Sequence, residues 1–354
     1  MNHRADCLAD LVGNTPVLRV TTPLPRPHPG FFAKLEYLGA GGMKARPALS
    51  MLREARRRGD LLPGAPVVES TSGTLGVGLA LAGAALGHPV VLVVDNELEP
   101  VMRTMLRAHG ARLEVVTEPH PTGGWQEARR ERLVALCREL PGAFWPDQYR
   151  NPDNPAGYAT LADELAAQVP PVDVLVCSVG TGGHSAGIAR ALRRRWPGLR
   201  LVGVDTIGST IFGQPARPRL MRGLGSSVYP RNVAYAEFDE VHWIAPAEAV
   251  DTCRRLARHA FVSGGWSTGA VARVAAWVAA AGPGQQVVAV FPDGPLRYWQ
   301  TIFDDDYCAR HGLLDALPAT APVELDASDG TEIDRWTRCQ AVRDPLSLPS
   351  GLSA

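Results

Sequence analysis

Five stretches of the chain, Pro66 to Ser70, Pro89 to Val94, Val172 to Val176, Leu199 to Val204 and Gln286 to Phe291, are short and mostly apolar without alternation. A strand with one wet face alternates, whereas a strand covered on both faces reads as a continuous apolar run. Such strands belong in parallel sheets between layers of helix. The covering helices are legible at Pro47 to Arg58, Thr74 to Leu86, Pro100 to His109, Gln126 to Glu139, Leu161 to Val169, Ser185 to Arg195, Ala247 to His259 and Thr268 to Ala281, and Arg112 to Val116 reads as one more strand. Strand, glycine turn, helix, strand is the βαβ unit, so the expected fold class is α/β with mostly parallel sheets.

At 354 residues the chain outgrows a single hydrophobic core, which predicts two lobes. Residues 45–150 are expected to form a smaller, mobile α/β lobe, and residues 1–44 with 151–312 a larger one. The proline-rich polar run from Trp145 to Pro155 is the crossing between them, while Leu11 to Arg19 and Phe31 to Glu36 read as short strands. From Leu313 onward periodicity is lost and Pro, Asp, Ser and Thr accumulate, so residues 313–354 read as a loosely attached extension.

With 45% hydrophobic residues, 20% charged residues and a formal net charge of +0, the chain has no basic field for nucleic acid. The run Arg190 to Arg195 reads as the solvated face of a helix. Six cysteines stand apart with no CxxC pair, which argues against structural zinc, or any other metal, and for a reducing compartment. The first residues lack a signal-peptide core, and glycine or proline interrupts every apolar run before it could span a bilayer. A cytoplasmic protein without membrane contact is expected.

Only two of the 36 lysines and arginines are lysines, Lys34 and Lys44. Where arginine serves as the generic cation, a retained lysine points to a need for a primary amine, which can form a Schiff base with an aldehyde. Lys44 sits in the turn Gly39-Ala-Gly-Gly-Met-Lys-Ala-Arg-Pro47 between an apolar run and a helix start; the alternative is an ordinary surface cation. A second cluster, Ser178-Val-Gly-Thr-Gly-Gly-His-Ser185, joins a strand to a helix. Its bare backbone at Gly180, Gly182 and Gly183, with the hydroxyls of Thr181 and Ser185 and a helix N-terminus behind it, suits a phosphate, although a tight strand-to-helix turn would look the same. A third, Glu69-Ser-Thr-Ser-Gly-Thr-Leu-Gly76, offers hydroxyls and N–H groups to a carboxylate, and serves equally as a helix cap. An amine, a phosphate cradle and a carboxylate loop together describe a pyridoxal phosphate enzyme acting on an amino acid.

In their order, Leu11-Val-Gly-Asn-Thr-Pro16, Lys34-Leu-Glu36, the Gly-Gly-x-Lys44-x-Arg turn, Thr71-Ser-Gly73, Gln148 and Gly180-Thr-Gly-Gly183 resemble the cysteine synthase and cystathionine β-synthase family over roughly residues 10–310. The resemblance implies fold type II, with pyridoxal 5′-phosphate in the cleft between two open α/β lobes, and a homodimer. It implies Lys44 as the attachment lysine, Gly180, Thr181, Gly182, Gly183 and His184 around the phosphate, and Thr71, Ser72, Gly73 and Gln148 around the substrate carboxylate. Three departures stand out. The turn before Lys44 lacks the family serine, and Thr74 replaces the asparagine expected at the ring hydroxyl. In Phe291-Pro-Asp-Gly-Pro-Leu-Arg-Tyr298 the serine that meets the pyridine nitrogen is missing, leaving Asp293 as the nearest polar side chain.

Within the family, Phe32 to Tyr37, Met43 to Pro47, Glu69 to Gly73, Gly208 to Gly213 and Gly265 to Gly269 are similar to the branch whose product is N-(2-amino-2-carboxyethyl)-L-glutamate, a precursor of 2,3-diaminopropionate for siderophores or antibiotics. That branch implies β-replacement on an O-activated L-serine, O-phospho-L-serine above all, with L-glutamate as nucleophile. Its extra carboxylates need cations or N–H donors, for which Arg46 beside the lysine, Ser209 and Thr210, and Arg222 are the candidates. Cysteine synthesis from sulfide, with O-acetylserine or O-phosphoserine as donor, is the rival reaction, and a catalytically weakened cofactor-binding scaffold the rival class.

Overall fold

The computed structural model describes residues 4–314, 318–328 and 330–347. In chain order its strands and helices are β1 (Val17–Val20), β2 (Phe31–Leu35), α1 (Ala45–Arg58), β3 (Val67–Ser70), α2 (Thr74–Leu86), β4 (Val90–Asp95), α3 (Pro100–Ala108), β5 (Arg112–Val116) and α4 (Gly124–Glu139). There follow α5 (Asp153–Ala156), α6 (Ala159–Gln168), β6 (Val174–Ser178), α7 (Gly183–Arg193), β7 (Arg200–Thr206), β8 (Glu240–Ile244), α8 (Pro246–Ala260), α9 (Trp266–Ala281), β9 (Val287–Phe291), α10 (Asp305–Arg310), β10 (Val323–Leu325) and β11 (Thr337–Cys339). The fold is α/β. Leu11 to Arg19, read as one strand, is a short 3-10 turn at Leu8–Leu11 followed by β1.

Two compact units result, residues 1–14 with 37–158 and residues 15–36 with 159–354. Their borders fall at 36/37 and 158/159, whereas the sequence placed them at 44/45 and 150/151, so Lys44 belongs to the smaller unit. There β3, β4 and β5 form a three-stranded parallel sheet. α2 is built of small and apolar residues because it is a core helix: Leu75, Leu79, Ala80 and Ala82 are buried together with Leu49, Met51 and Leu52 of α1.

The larger unit carries one eight-stranded sheet in the order β1-β2-β9-β6-β7-β8-β11-β10. β2 through β8 run parallel in that order, and β1 and β11 join antiparallel to β2 and β8. β8 escapes the apolar-run criterion because it reads Glu-Val-His-Trp-Ile, with Glu240 and His242 buried in its middle.

One polar atom of each is paired from the far end of the chain. Arg338 Nε lies 2.8 Å from Glu240 Oε2, and Trp336 Nε1 donates to His242 Nδ1 at 3.1 Å. Burial pulls the Glu240 carboxyl up, but His242 and the Arg338 guanidinium outweigh it and hold it at about 2. The expectation of a loosely attached C-terminal extension is therefore corrected for its described residues: β10 and β11 complete the large sheet, with Trp336 and Cys339 buried. The signal is invisible locally because each strand is only three residues long.

Candidate active site

Lys44 is the residue immediately before α1, and its placement follows from glycine on both sides of it. Gly41 and Gly42 both have φ 67, a left-handed pair that lets the chain double back, with Gly42 N–H donating to Gly39 O and Ala45 N–H to Gly42 O. Met43 is buried beneath the turn. On the other side, α2 passes so near that a methyl group on Gly78 would stand 2.4 Å from the Lys44 carbonyl oxygen. Burial alone moves the Lys44 amine from 10.5 down to about 8.

Lys34, the other lysine, is fully buried on β2. Its Nζ donates to Thr15 O at 2.7 Å, to Glu164 Oε2 at 2.7 Å and to Gln168 Oε1 at 2.8 Å. All three ammonium donors are engaged, so it is a structural cation.

The loop between β3 and α2 holds Thr71, Ser72 and Gly73 with Thr74 at the helix start. Gly73, at φ 126, donates its N–H to Thr71 Oγ1 at 3.0 Å, which turns the backbone sharply into α2. Thr71 is buried and Ser72 exposed. Gln148 comes to this loop from 75 residues or so along the chain: its Nε2 donates to Ser70 O at 3.2 Å. The residue that assembles the group is Glu69, the first of that cluster, to which the sequence assigns no role of its own. Its carboxylate accepts from Ser70 N–H at 2.8 Å, Trp145 Nε1 at 3.1 Å and Gln148 N–H at 3.2 Å. Burial dominates over these donors and raises it to about 8, with Asp147 adding to the rise.

The second glycine cluster lies in the larger unit, at the carboxyl end of β6, the end at which open α/β sheets bind ligands. Gly182, at φ 80, precedes α7, and Ser185 Oγ donates back to its carbonyl at 3.0 Å. Gly183 N–H donates to Thr181 Oγ1 at 3.5 Å, and the first turn of a helix is where backbone N–H groups have affinity for anions. Thr181 and His184 are buried beside them. Around Gly180 there is room, since a methyl there would meet only Gly223 O, at 3.8 Å. At Gly182 there is none, with the Val233 backbone 2.5 Å away.

Ser209 and Thr210 are drawn into the structure of the loops themselves. Thr210 Oγ1 donates to Ser226 O at 3.1 Å, and Ser209 Oγ accepts from Ser226 N–H at 3.1 Å. The two loops thus form one hydrogen-bonded plate, and Asp205 beneath it is buried, with its carboxyl pushed up to about 7 by desolvation. Arg222 is half-buried at the edge of that plate, where its charge reaches Tyr307 of α10. Asp293 follows β9, and its Oδ1 accepts from Thr268 N–H at 3.1 Å and Thr268 Oγ1 at 2.8 Å. Ser267, which sequence reading did not single out, is buried beside it.

Among the described residues no cluster of His, Cys, Asp and Glu could hold a metal, and no helix is long and apolar enough to cross a membrane. The family model described as "Pyridoxal-phosphate dependent enzyme" matches residues 8–293. The N-(2-amino-2-carboxyethyl)-L-glutamate synthase of Cupriavidus metallidurans is 38% identical over 328 residues, 91% of this chain and 96% of that protein. The protein of the same name in Ralstonia nicotianae is 36% identical over 310 residues, 86% and 92% of the two chains. Among solved structures, the O-acetylserine dependent cystathionine beta-synthase of Helicobacter pylori superposes with TM-score 0.79 at 29% identity, covering 84% of this chain and 98% of its own.

Proposed function

The chain belongs to the pyridoxal-phosphate-dependent enzymes, in the cysteine synthase family with fold type II, and we propose that it exchanges the β-substituent of O-phospho-L-serine for the amine of L-glutamate. The product would be N-(2-amino-2-carboxyethyl)-L-glutamate, which leads to L-2,3-diaminopropionate in siderophore or antibiotic biosynthesis. The observation that carries this reading is the similarity over 91% of the chain to a synthase of that name.

The residues suit the cofactor. Lys44 offers an amine lowered to about 8, and the Gly180 side of the cradle has room that a methyl would fill. A buried Asp293 oxygen without a well-aligned hydrogen bond lies beside Gly223, whose carbonyl is near Gly180. Bound pyridoxal phosphate supplies an electron sink for bonds broken at the amino acid's α-carbon.

In this reading Lys44 Nζ would hold the cofactor aldehyde, and its amine would take the substrate's α-proton. An amine near 8 is neutral often enough at physiological pH to do so, where one at 10.5 is not. Gly180, Thr181, Gly182, Gly183 and His184 hold the phosphate on the α7 N-terminus. Thr71, Ser72 and Gly73 hold the substrate carboxylate at the start of α2, with Gln148 fixed beside them, and Thr74 meets the ring hydroxyl. Arg222 receives a carboxylate of the acceptor. The protein is read as a cytoplasmic homodimer that binds small amino acids. Phe261, 97% exposed with φ 55, suits a face that a second copy covers.

Product analysis with purified holoenzyme tests the reading. O-phospho-L-serine with L-glutamate is expected to give the coupled amino acid faster than O-acetylserine or O-phosphoserine with sulfide gives cysteine. Cysteine formed far faster would replace the diaminopropionate reading with a sulfhydrylase. A protein that takes up the cofactor but consumes no serine donor would be a binding scaffold.

A further inference from the structure

Asp293 is clamped by one oxygen and left open at the other. Thr268 donates both its N–H and its hydroxyl to Oδ1, whereas no well-aligned hydrogen bond reaches the buried Oδ2, near which stand only the neutral hydroxyls of Ser267 and Tyr298. A buried carboxylate oxygen without a well-aligned donor is costly, and more so when charged, so its placement requires an explanation. These oxygens face the same bare spot. A methyl on Gly223, whose φ is 90, would lie 3.0 Å from Ser267 Oγ, 3.3 Å from Asp293 Oδ2 and 3.6 Å from the Tyr298 hydroxyl oxygen.

That spot is continuous with the phosphate cradle. Gly223 O is the one atom near Gly180, and Gly225 N–H donates to Val179 O at 2.8 Å. Gly223 thus lies between the cradle and these oxygens. Gly294 offers no side chain there, where the resembling family has a serine.

We propose that Asp293 Oδ2, with Ser267 Oγ beside it, accepts a hydrogen bond from the protonated ring nitrogen of pyridoxal phosphate, so that this protein holds its cofactor as a pyridinium. The inference rests on the phosphate reading of Gly180 to His184. Burial raises the Asp293 carboxyl, while the Ser267 and Tyr298 hydroxyls and Thr268 work to lower it; a cation brought against Oδ2 would stabilise the ionised form further. A ring proton held by a carboxylate makes the ring a stronger electron acceptor than one facing a neutral hydroxyl.

The test is nuclear magnetic resonance of holoprotein reconstituted with cofactor isotopically labelled at the ring nitrogen, at neutral pH. Wild type is expected to resonate at the pyridinium position, Asp293→Asn at the neutral-pyridine position, and Ser267→Ala at the pyridinium position. Asp293→Asn should also lose about tenfold or more in cofactor affinity, as removal of one charge-assisted hydrogen bond implies. A neutral-pyridine resonance in wild type overturns the proposal, whether or not the variant folds, and so does an unchanged pyridinium signal in Asp293→Asn. Failure of the phosphate reading would be distinct: non-phosphorylated pyridoxal would then bind as tightly as the phosphate ester.

Discussion

Gly78 and Lys44 are packed backbone to backbone, with the space for one methyl group missing between them: a Cβ on Gly78 would stand 2.4 Å from the Lys44 carbonyl oxygen and 2.9 Å from Ala45 N. The lysine turn is thus shaped by the helix that passes beneath it. In the middle of a helix, alanine normally gains about 0.5–1 kcal/mol over glycine. Here the sign should reverse. Gly78→Ala is expected to destabilise the apoprotein by about 1–3 kcal/mol, as overpacking does, and to lower the yield of lysine-bound cofactor; thermal unfolding and visible absorbance measure the two effects.

Lys44→Ala should remove the borohydride-reducible link to the cofactor, with no transfer to Lys34, because every donor of Lys34 is engaged by Thr15, Glu164 and Gln168. Mass spectrometry of the reduced, digested protein reads this directly; a label on Lys34 would refute the assignment. Lys34→Ala should instead damage the fold by about 3–5 kcal/mol, since it leaves Glu164 a nearly buried carboxylate without its cation.

Because the Lys44 amine lies at about 8 and only the neutral amine attacks an aldehyde, covalent uptake of the cofactor by apoprotein should accelerate with pH and level off just above 8. Stopped-flow absorbance records it. A rate still climbing toward 10.5, the ordinary lysine value, would show that burial does not shift this amine.

Glu69 predicts a pH effect of the opposite sense. Its folded value, about 8, exceeds the ordinary 4.5, so between these values the native state binds more protons than the unfolded state and stability falls as pH rises. Relative to Glu69→Gln, which does not titrate, wild type should lose stability steadily from about pH 5 to pH 8. Chemical denaturation across that range checks it, and parallel curves would contradict it. Glu69→Gln should also raise KM for the serine donor more than it lowers kcat, because the amide keeps one acceptor oxygen where Ser70, Trp145 and Gln148 use two.

The two cradle glycines should separate. Gly182→Val meets the Val233 backbone and a left-handed φ, so it should unfold the larger unit rather than merely loosen the cofactor. Gly180→Ala has space in the apoprotein; its melting temperature should barely move while cofactor affinity falls about tenfold or more. Equal losses in both measurements for Gly180→Ala would mean that the loop is only a turn.

The sequence alone determined the α/β class, the strand-to-helix glycine loops and the choice of chemistry, because these depend on short-range facts: apolar runs without alternation, glycine where the backbone must bend, and a chain nearly without lysine. Tertiary structure decided what short-range facts leave open. Lys34 and Lys44 look alike in the sequence; only the fold places Glu164 and Gln168, about 130 residues away, around one of them. Gly180 and Gly182 look alike until Val233 is packed against the second. Glu69 and Ser267 become visible once Trp145, Gln148 and Asp293 are brought to them. β8 and β11 escape notice because Glu240 and His242 interrupt the apolar run of the first and the second is only three residues long; the partner of Glu240, Arg338, lies almost a hundred residues away. Burial and partnership are properties of the folded chain as a whole, and a residue's local neighbours in sequence carry no record of them.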